Sequence, residues 1–493
     1  MYKIFEDVEY KTLKEGKSFV IKGIEYDSRK IEKDFVFVAM TGSTVDGHDF
    51  IQKAIDGGAK MIISEKNIDT GQYQSASDVT FIQVEGIRKK LGIIASNYYG
   101  YPQDKIKIIG ITGTNGKTTS SFILENILEK TARIGTTGNR ILDKEFETVN
   151  TTPESLELIK LIDKSVKSGA DYFIMEVSSH ALEIGRVDML KFDSAIFTNL
   201  TQDHLDFHKT MENYAHAKSL LFSQLGNHSK NGKPRVAVLN RDEEHYEQFA
   251  YSTPCEVVSY GFNENADIRA TDIQTNGAMT SFKVTMNGEQ LPVSIPMIGL
   301  FNVYNVLAAF AVAVINGISL ERAVELMKRF PGVGGRMQMI QQGQPFQVII
   351  DFAHTPDGLE NVLETLEKVK VNRVITIMGH SGGNRDSSMR PELGKIAFEK
   401  SDYVILTADN PRHEPLEEIY KGILSGRKNE KIAYECIDNR IEAVKCALEI
   451  AQEGDILLFA GKGVEPYQVI GDEYIPYNEV ETVIECLEAM GFK

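Results

Sequence analysis

The most constraining stretch of this chain runs from Ile106 to Thr119. A strand-like run, Ile106–Ile111, leads into Gly113-Thr114-Asn115-Gly116-Lys117-Thr118-Thr119. A helical stretch of about 14 residues is expected to follow. A buried strand, a glycine-rich turn and a helix N-terminus together suit a phosphate. Glycines let the backbone come close, successive N–H groups converge on one anion, and the helix end adds partial positive charge. Lys117 is placed to neutralise the β- and γ-phosphates and the Thr118 hydroxyl to bind Mg²⁺. The strict spacing of six positions between the first glycine and the lysine fails, because Ile111 stands where that glycine would fall. Gly113–Thr119 is a contracted version, and it predicts nucleotide binding.

A chain of 493 residues is expected to form about three domains. Residues 1–101 alternate short strands (Phe35–Met40, Met61–Ser64, Phe81–Val84) with short helices and end in a linker, Tyr98-Tyr99-Gly100-Tyr101-Pro102. Residues 102–334 carry strands at Ile106–Ile111, Tyr172–Val177, Ala195–Asn199 and Val236–Leu239. That alternation with helices predicts an α/β fold with a parallel sheet. From Asp267 to Pro296, alternating residues and the Asn276-Gly277 and Asn287-Gly288 turns predict a small antiparallel β-ribbon beside that sheet. Pro331-Gly332-Val333-Gly334-Gly335 marks a second boundary. Residues 335–493 then repeat the strand–helix alternation at Val348–Phe352, Val374–Met378, Tyr403–Thr407 and Ile456–Ala460, a doubly wound α/β pattern.

The net charge of −16 argues against general nucleic-acid or anionic-membrane binding, although a local basic pocket remains compatible with it. The N-terminal residues lack the apolar core of a signal peptide. The purely apolar run Val306–Ile315 is too short to span a bilayer, which needs about 20 residues, and predicts a buried helix. A cytoplasmic location without membrane insertion follows as an expectation. Cys255, Cys436, Cys446 and Cys486 form no CxxC pair and are expected to be reduced, buried thiols.

Glu176 ends an apolar strand in Met175-Glu176-Val177-Ser178-Ser179-His180. Strand ends of this kind face the ligand crevice of open α/β sheets, where a carboxylate can hold Mg²⁺ against phosphates. The next strand ends in Thr198-Asn199-Leu200-Thr201-Gln202-Asp203-His204-Leu205-Asp206. Flanking a phosphate loop, Glu176 and His204 become metal candidates, while Asp203 and Asp206 stay open between ligand and helix cap. Lys218 falls in a helical stretch, and its spacing alone suggests only a solvent-facing charge.

Gly113–Thr119, Glu176–His180, Asn199–His204 and Lys218, with Asn302, Arg336 and His354, resemble the Mur ligases, ATP-dependent amide-bond-forming enzymes that build the peptidoglycan peptide. Asp27-Ser28-Arg29, Asn150-Thr151-Thr152-Pro153 and Asp409-Asn410-Pro411-Arg412 resemble the branch that adds the third amino acid. The resemblance implies a UDP-sugar domain (1–101), a central ATPase domain (102–334) and a C-terminal acceptor domain (335–493). It implies ATP and Mg²⁺ as cofactors and catalytic roles for Lys117, Glu176, His204 and Lys218. Lys218 would be carbamylated, which converts a cation into an oxygen ligand, and with Thr118, Glu176 and His204 it would complete the metal set. Nucleotide contacts fall to Gly113, Thr114, Asn115, Gly116, Lys117, Thr118, Thr119, Asn302, Arg336, Asp351 and His354.

The implied substrate is UDP-N-acetylmuramoyl-L-alanyl-D-glutamate, bound by Tyr26, Ser28, Ser43, Thr44, Val45, Asn150, Thr151, Thr152, Ser178 and Arg186. Its glutamyl carboxylate would be activated as an acyl-phosphate and captured by an amine, with no protein nucleophile and no Ser–His–Asp triad. The implied acceptor is a diamino diacid, meso-2,6-diaminopimelate, held by Arg390, Asp409, Asn410, Pro411, Arg412, Gly461 and Glu465. An arginine such as Arg412 can bind a second carboxylate bidentately, and L-lysine has none. The sequence departs from the family at Ile184, at Val464 within Gly461-Lys462-Gly463-Val464-Glu465, and at Asn384, which keeps meso-lanthionine and L-lysine open as acceptors. The ATPase motifs would also suit a folylpolyglutamate synthetase-like ligase or, in a different class, a non-catalytic nucleotide-gated binding protein. A monomer is expected.

Overall fold

Each apolar run named above becomes a buried strand or helix in the structure, a computed structural model. It describes residues 2–42, 45–73, 76–148, 150–226, 235–276, 278–383 and 386–493. Ser43, Thr44, Gly277 and Asn384 lie outside the described residues. The chain divides into two units that cut across sequence order. One comprises Met1–Gly110, Glu129–Ser194 and Leu220–Arg235, and the other Ile111–Leu128, Ala195–Ser219 and Val236–Lys493.

In the first unit, Gly23–Glu25, Phe35–Ala39, Ala59–Ser64 and Thr80–Gln83 are parallel neighbours, and Lys11–Lys14 closes the edge antiparallel. Parallel strands are covered on both faces, so Val36, Phe37, Met61, Ile62, Phe81 and Ile82 are all buried. The helix Ile87–Tyr99 stops where Gly100 turns left-handed. Tyr98 and Tyr99 therefore belong to its last turn, with their rings edge to face at 4.8 Å, and not to a linker. The helix Ser155–Lys167 buries the stripe Leu156, Leu158, Ile159 and Ile162. Gly92 lets the helix Ile87–Tyr99 come close: a Cβ there would overlap the Met189 side chain and lie 3.4 Å from Ser155 Cβ. Strands Thr131–Gly135 and Tyr172–Glu176 pair in parallel.

In the second unit the loop helix spans Lys117–Ile127, shorter than its apolar pattern suggests, because Leu128 is already extended. It packs on Leu300–Ile315, the helix that contains the buried apolar run. Strands Ile268–Asn276, Met279–Met286 and Glu289–Ile295 form the expected antiparallel ribbon. It joins the sheet at its edge. Ile268 and Arg269 pair in parallel with Tyr260 and Gly261 of the strand Glu256–Gly261, so the ribbon prolongs that sheet. The remaining sheet runs Gln338–Ile340, Gln347–Asp351, Ile456–Ala460, Val374–Met378, Tyr403–Thr407, Ala433–Ile437, all parallel after the first pair. Its carboxyl ends carry the segments after Asp351, Met378, Thr407 and Ala460, the place where such sheets bind ligands.

A buried ion pair anchors one of those segments. Arg440 and Glu479 are both fully buried, with Arg440 Nε 2.7 Å from Glu479 Oε2, and Arg440 NH1 donates to the Ala408 carbonyl at 3.2 Å. The cysteines correct an expectation: all four are free thiols, yet Cys436 is exposed and Cys255, Cys446 and Cys486 are only partly buried. Cys446, partly buried against the core, reaches toward Glu435 Oε2 at 3.6 Å. Among the described residues no helix is long and apolar enough to cross a membrane.

Candidate active site

The phosphate loop is shaped by what surrounds it. Gly113 (φ +148°) and Gly116 (φ +87°) have backbone that side chains rarely adopt, and a Cβ on either would overlap Thr198 Oγ1 or Asn305 Oδ1. The strand end Thr198–Thr201 holds the loop. Thr114 N donates to the Asn199 carbonyl at 3.0 Å and Asn115 N to Asn199 Oδ1 at 2.8 Å. Thr198 Oγ1 donates to the Asn115 carbonyl at 2.6 Å. Lys117 Nζ donates back to the Gly113 and Thr114 carbonyls at 2.8 and 2.7 Å.

Lys218 is the main surprise for local sequence reasoning. It is 1% exposed, not solvent-facing, and donates to the Gly113 carbonyl at 2.9 Å. Its ammonium lies 4.4 Å from the centre of the Tyr214 ring. Burial, reinforced by Lys117 and opposed by Asp203, pushes its pKa well below that of an ordinary lysine. Asp203 lies beside His204, with His204 Nε2 3.3 Å from Asp203 Oδ2. Burial works against the Asp203 charge, but His204, His354 and Lys117 outweigh it and hold the carboxyl below its ordinary value.

The same unit brings the nucleotide candidates together. Arg336 NH2 donates to Thr118 Oγ1 at 3.3 Å, and its guanidinium stands 4.5 Å from the centre of the Phe352 ring. Asn305 Nδ2 donates to Asn302 Oδ1 at 3.3 Å, and Ser120 Oγ to Asn305 Oδ1 at 3.3 Å. Asp351 is buried and accepts from Met337 N and Ala353 N at 2.6 and 2.8 Å, so it shapes the backbone on both sides of Arg336 and His354. The His354 ring lies 2.8 Å from the Phe352 carbonyl. Asp357, which no sequence motif marks, accepts from Asn115 Nδ2 at 2.7 Å. Burial raises its pKa.

Magnesium takes oxygen ligands. Within the second unit the candidate donors are the Thr118 hydroxyl oxygen and the His204 ring nitrogen. A buried amine cannot supply oxygen, so the set fits a hard cation only if Lys218 carries a carbamate. Among the described residues no group of three or more His, Cys, Asp or Glu side chains is placed to hold a metal.

Glu176 belongs to the first unit. It is fully buried, and its carboxylate accepts from Thr136 N and Oγ1 at 3.1 and 2.9 Å. Thr136 Oγ1 meets Thr151 Oγ1 at 3.0 Å, and Thr152 Oγ1 donates to the Glu176 carbonyl at 2.8 Å while accepting from Ser178 N at 2.9 Å. Ser178 caps a short helix through Ala181 N. Arg186 donates through Nε to Glu154 Oε1 (3.2 Å) and through NH1 to the Thr152 carbonyl (3.0 Å). Thr151, Thr152, Ser178 and Arg186 thus converge, joined by Glu154 and Thr136, which carry no sequence signal of their own. Asp27 caps Ser28–Lys30 and pairs with Arg29. Burial raises the Tyr26 pKa. Asn150 is exposed and its carbonyl accepts from Thr148 Oγ1. Val45 is exposed.

The acceptor candidates share one buried hub that sequence spacing does not announce. Lys462, fully buried, donates to Asn410 Oδ1 and Glu465 Oε2, both at 2.9 Å, and lies 3.5 Å from Asp409 Oδ1. Asn410 Nδ2 adds a bond to Glu465 Oε2 at 3.1 Å. Burial opposes the Asp409 charge, but Lys462 and Arg440 keep its carboxyl below its usual value. Arg412 has left-handed backbone (φ +54°), pinned by Arg412 N to Val469 O (3.0 Å) and Gly471 N to Arg412 O (2.8 Å). Its Nε is buried without a hydrogen-bond partner. Arg390 differs: it is buried and clamps Glu414 through NH1 and NH2 at 2.5 and 2.9 Å. Its guanidinium helps hold His380 at a pKa of about 4, after burial as the larger cause. Gly461 (φ +99°) opens the segment that carries Glu465. Across it, Gly335 (φ +64°) approaches so closely that a Cβ would stand 2.8 Å from Gly463 Cα and Val464 N.

Comparison with known proteins identifies the family. Residues 20–99 match the Mur ligase family catalytic domain, 111–313 the Mur ligase middle domain, and 335–463 the Mur ligase glutamate ligase domain. The chain is 43% identical to the UDP-N-acetylmuramoyl-L-alanyl-D-glutamate–2,6-diaminopimelate ligase of Bacillus cereus, over 95% of this chain and 94% of that one. It is 44% identical to the enzyme of that name from Fusobacterium nucleatum, over 97% and 96%. A solved structure of a ligase with that name superposes with a TM-score of 0.65 at 33% identity, covering 96% of each chain. MurF ligase from Thermotoga maritima in complex with ADP shares the fold, with a TM-score of 0.66 at 19% identity, over 94% of this chain and 97% of that one. With family domains matched along most of its length and relatives this similar from end to end, the chain belongs to the Mur ligase family of ATP-dependent amide-bond ligases.

Proposed function

We propose that this protein joins meso-2,6-diaminopimelate to UDP-N-acetylmuramoyl-L-alanyl-D-glutamate at the expense of ATP, in peptidoglycan precursor synthesis. The names of its full-length relatives support the substrates. The observation that carries the chemistry is the meeting of Lys117 and the buried Lys218 at the Gly113 carbonyl. Residues 1–101 bind the UDP-sugar through Tyr26, Ser28 and the 43–45 stretch, residues 102–334 bind ATP, and residues 335–493 bind the acceptor. The enzyme works as a cytoplasmic monomer.

The glutamyl side-chain carboxylate attacks the γ-phosphorus, the bond to the β-phosphate oxygen breaks, and ADP leaves. The acyl-phosphate is then attacked by an acceptor amine. The tetrahedral intermediate expels phosphate, and the amine proton passes to solvent. Lys117 neutralises the transferring phosphoryl group, while Gly113–Thr119 with Asn302, Arg336, Asp351 and His354 orient the nucleotide. Thr151, Thr152, Ser178 and Arg186 hold the dipeptide. Thr118, Glu176, His204 and carbamylated Lys218 would hold Mg²⁺, and the ion would supply charge neutralisation at the phosphates. The Lys218 amine, its pKa lowered by burial and by Lys117, adds CO₂ in its neutral form and releases a proton to become that carbamate. Arg412 binds the distal carboxylate of the acceptor and Glu465 its distal ammonium.

The test is ADP release by the purified protein with an acceptor panel of meso-diaminopimelate, meso-lanthionine and L-lysine. Release that requires both the sugar nucleotide and meso-diaminopimelate is expected. Release independent of the sugar nucleotide would refute the assignment.

A further inference from the structure

Glu154 is buried at the start of the helix Ser155–Lys167, and its carboxylate bridges two arginines. Oε2 accepts from Arg88 NH1 at 2.5 Å and Oε1 from Arg186 Nε at 3.2 Å. Each arginine then reaches a backbone carbonyl. Arg88 NH2 donates to Thr41 O at 2.9 Å, at the start of the segment that holds Val45. Arg186 NH1 donates to Thr152 O at 3.0 Å. Thr152 Oγ1 in turn contacts Glu176 O and Ser178 N. One carboxylate therefore stands between the element assigned to the UDP-sugar and the element assigned to the dipeptide, all within the first unit.

From this geometry we infer that Glu154 is a positioning residue for the sugar-nucleotide substrate: it orients Arg186 toward the dipeptide and ties that orientation to the Thr41 loop through Arg88. Resting on the function proposed above, the inference concerns a residue that touches no reacting atom. The physical reason is the number of acceptors. A carboxylate offers two oxygens, one per guanidinium, and leaves Arg186 NH2 outside the network for a ligand carboxylate. An amide at this position keeps one acceptor oxygen and puts an NH₂ donor where the other stood, so one of the two guanidiniums then faces a donor. The charge count also changes. With Glu154 ionised the trio carries one net positive charge to meet an anionic substrate. Without it, two cations face each other.

The experiment compares wild type, Glu154→Gln, Glu154→Asp, Arg88→Ala and the double variant Arg88→Ala/Glu154→Gln. Direct binding of UDP-N-acetylmuramoyl-L-alanyl-D-glutamate and the KM for ATP are measured on each. Wild-type binding tests the proposed function, and the variant-to-wild-type ratio tests the role of Glu154, so the two can fail separately. Glu154→Gln should raise the Kd and KM for the sugar nucleotide at least tenfold while the KM for ATP moves less than twofold. Glu154→Asp, which keeps both acceptors, should recover most of that loss. Arg88→Ala should weaken the same ligand, and in the double variant its effect should largely vanish, because the link is already broken. Sugar-nucleotide binding within twofold of wild type in Glu154→Gln would overturn the inference. So would a parallel rise in both KM values, which marks general loosening. If Glu154→Gln does not fold, Arg88→Ala decides: unchanged binding in that variant overturns the coupling.

Discussion

Lys117 and Lys218 donate to one carbonyl oxygen, that of Gly113, at 2.8 and 2.9 Å. Two ammonium groups on a single acceptor repel, and the buried partner yields: Lys218 is driven toward its neutral form by burial first and by Lys117 second. A neutral amine is the nucleophile that the proposed carbamylation requires, and the charge of the loop lysine acts in that direction.

Lys218→Ala should therefore abolish ligation, by at least a hundredfold in kcat, while thermal unfolding shows a folded protein. Added acetate or formate should restore part of the activity, since a small carboxylate can take the place of the carbamate oxygens. Full activity of the unsupplemented variant would end this assignment.

Lys117→Ala should lose ATP turnover, because the charge that develops on the transferring phosphoryl group goes unmet. Such electrostatic contacts are worth roughly 3–4 kcal/mol, or 10²–10³ in kcat. Calorimetry should still show sugar-nucleotide binding, whose candidate residues lie in the first unit. Loss of that binding in a folded variant would contradict the placement.

The two acceptor arginines should behave differently. Arg412 has an unpartnered buried Nε, and a lysine acceptor would leave its guanidinium unmatched at a cost of about 2–5 kcal/mol, a factor of roughly thirty or more. Arg412→Ala should cut kcat/KM for diaminopimelate far more than for lysine. Arg390 already clamps Glu414, so Arg390→Ala should chiefly lower the Tm, as removal of one partner of a buried pair does. Equal slowing of both acceptors by Arg412→Ala would show that another group selects the substrate.

Stability should carry a pH signature from Glu243. Its carboxyl is pushed up to about 7, mainly by burial, with Asp357 and Asp242 adding to the rise against the bond from Leu200 N. The folded state then holds a proton that the unfolded state releases near 4.5, so this contribution is fully present below about pH 4.5 and is lost as pH rises to 7. Glu243→Gln keeps an acceptor for Leu200 N without the charge. Urea unfolding should show the variant gaining on wild type between pH 5 and 8, by on the order of 2–3 kcal/mol at the top of that range, and matching it near pH 4. A flat difference across the range would show that Glu243 titrates normally in the fold.

What the sequence makes legible is local. Gly113, Gly116 and Lys117 announce themselves by spacing, and the parallel strands by unbroken apolar runs. Lys218 does not: on its own helix it has the pattern of a surface charge, and only the family resemblance singles it out. Asp357 meets Asn115 across 242 positions, and Lys462 meets Asn410 across 52. No periodicity encodes such meetings. Glu154 escapes notice because a carboxylate before a helix has a sufficient local explanation as a dipole partner. Tyr98 and Tyr99, aromatic residues near glycine and proline, suggest a turn, whereas packing carries the helix through them. The general apolar character of a thiol points inward for all four cysteines, whereas Cys436 is exposed and the other three are only partly buried.

The close approach of Gly335 to Gly463 and Val464 bears on how such ligases can be recombined. Backbone meets backbone there, with no side chain able to give way. An acceptor segment grafted from a relative with a different conformation at 461–465 would have to bring its own 331–335 turn, and the arginine that follows that turn reaches Thr118 of the phosphate loop. Exchanging acceptor preference by transplanting one short segment should therefore disturb nucleotide handling as well, and chimeras cut so that both segments travel together should be the ones that keep it.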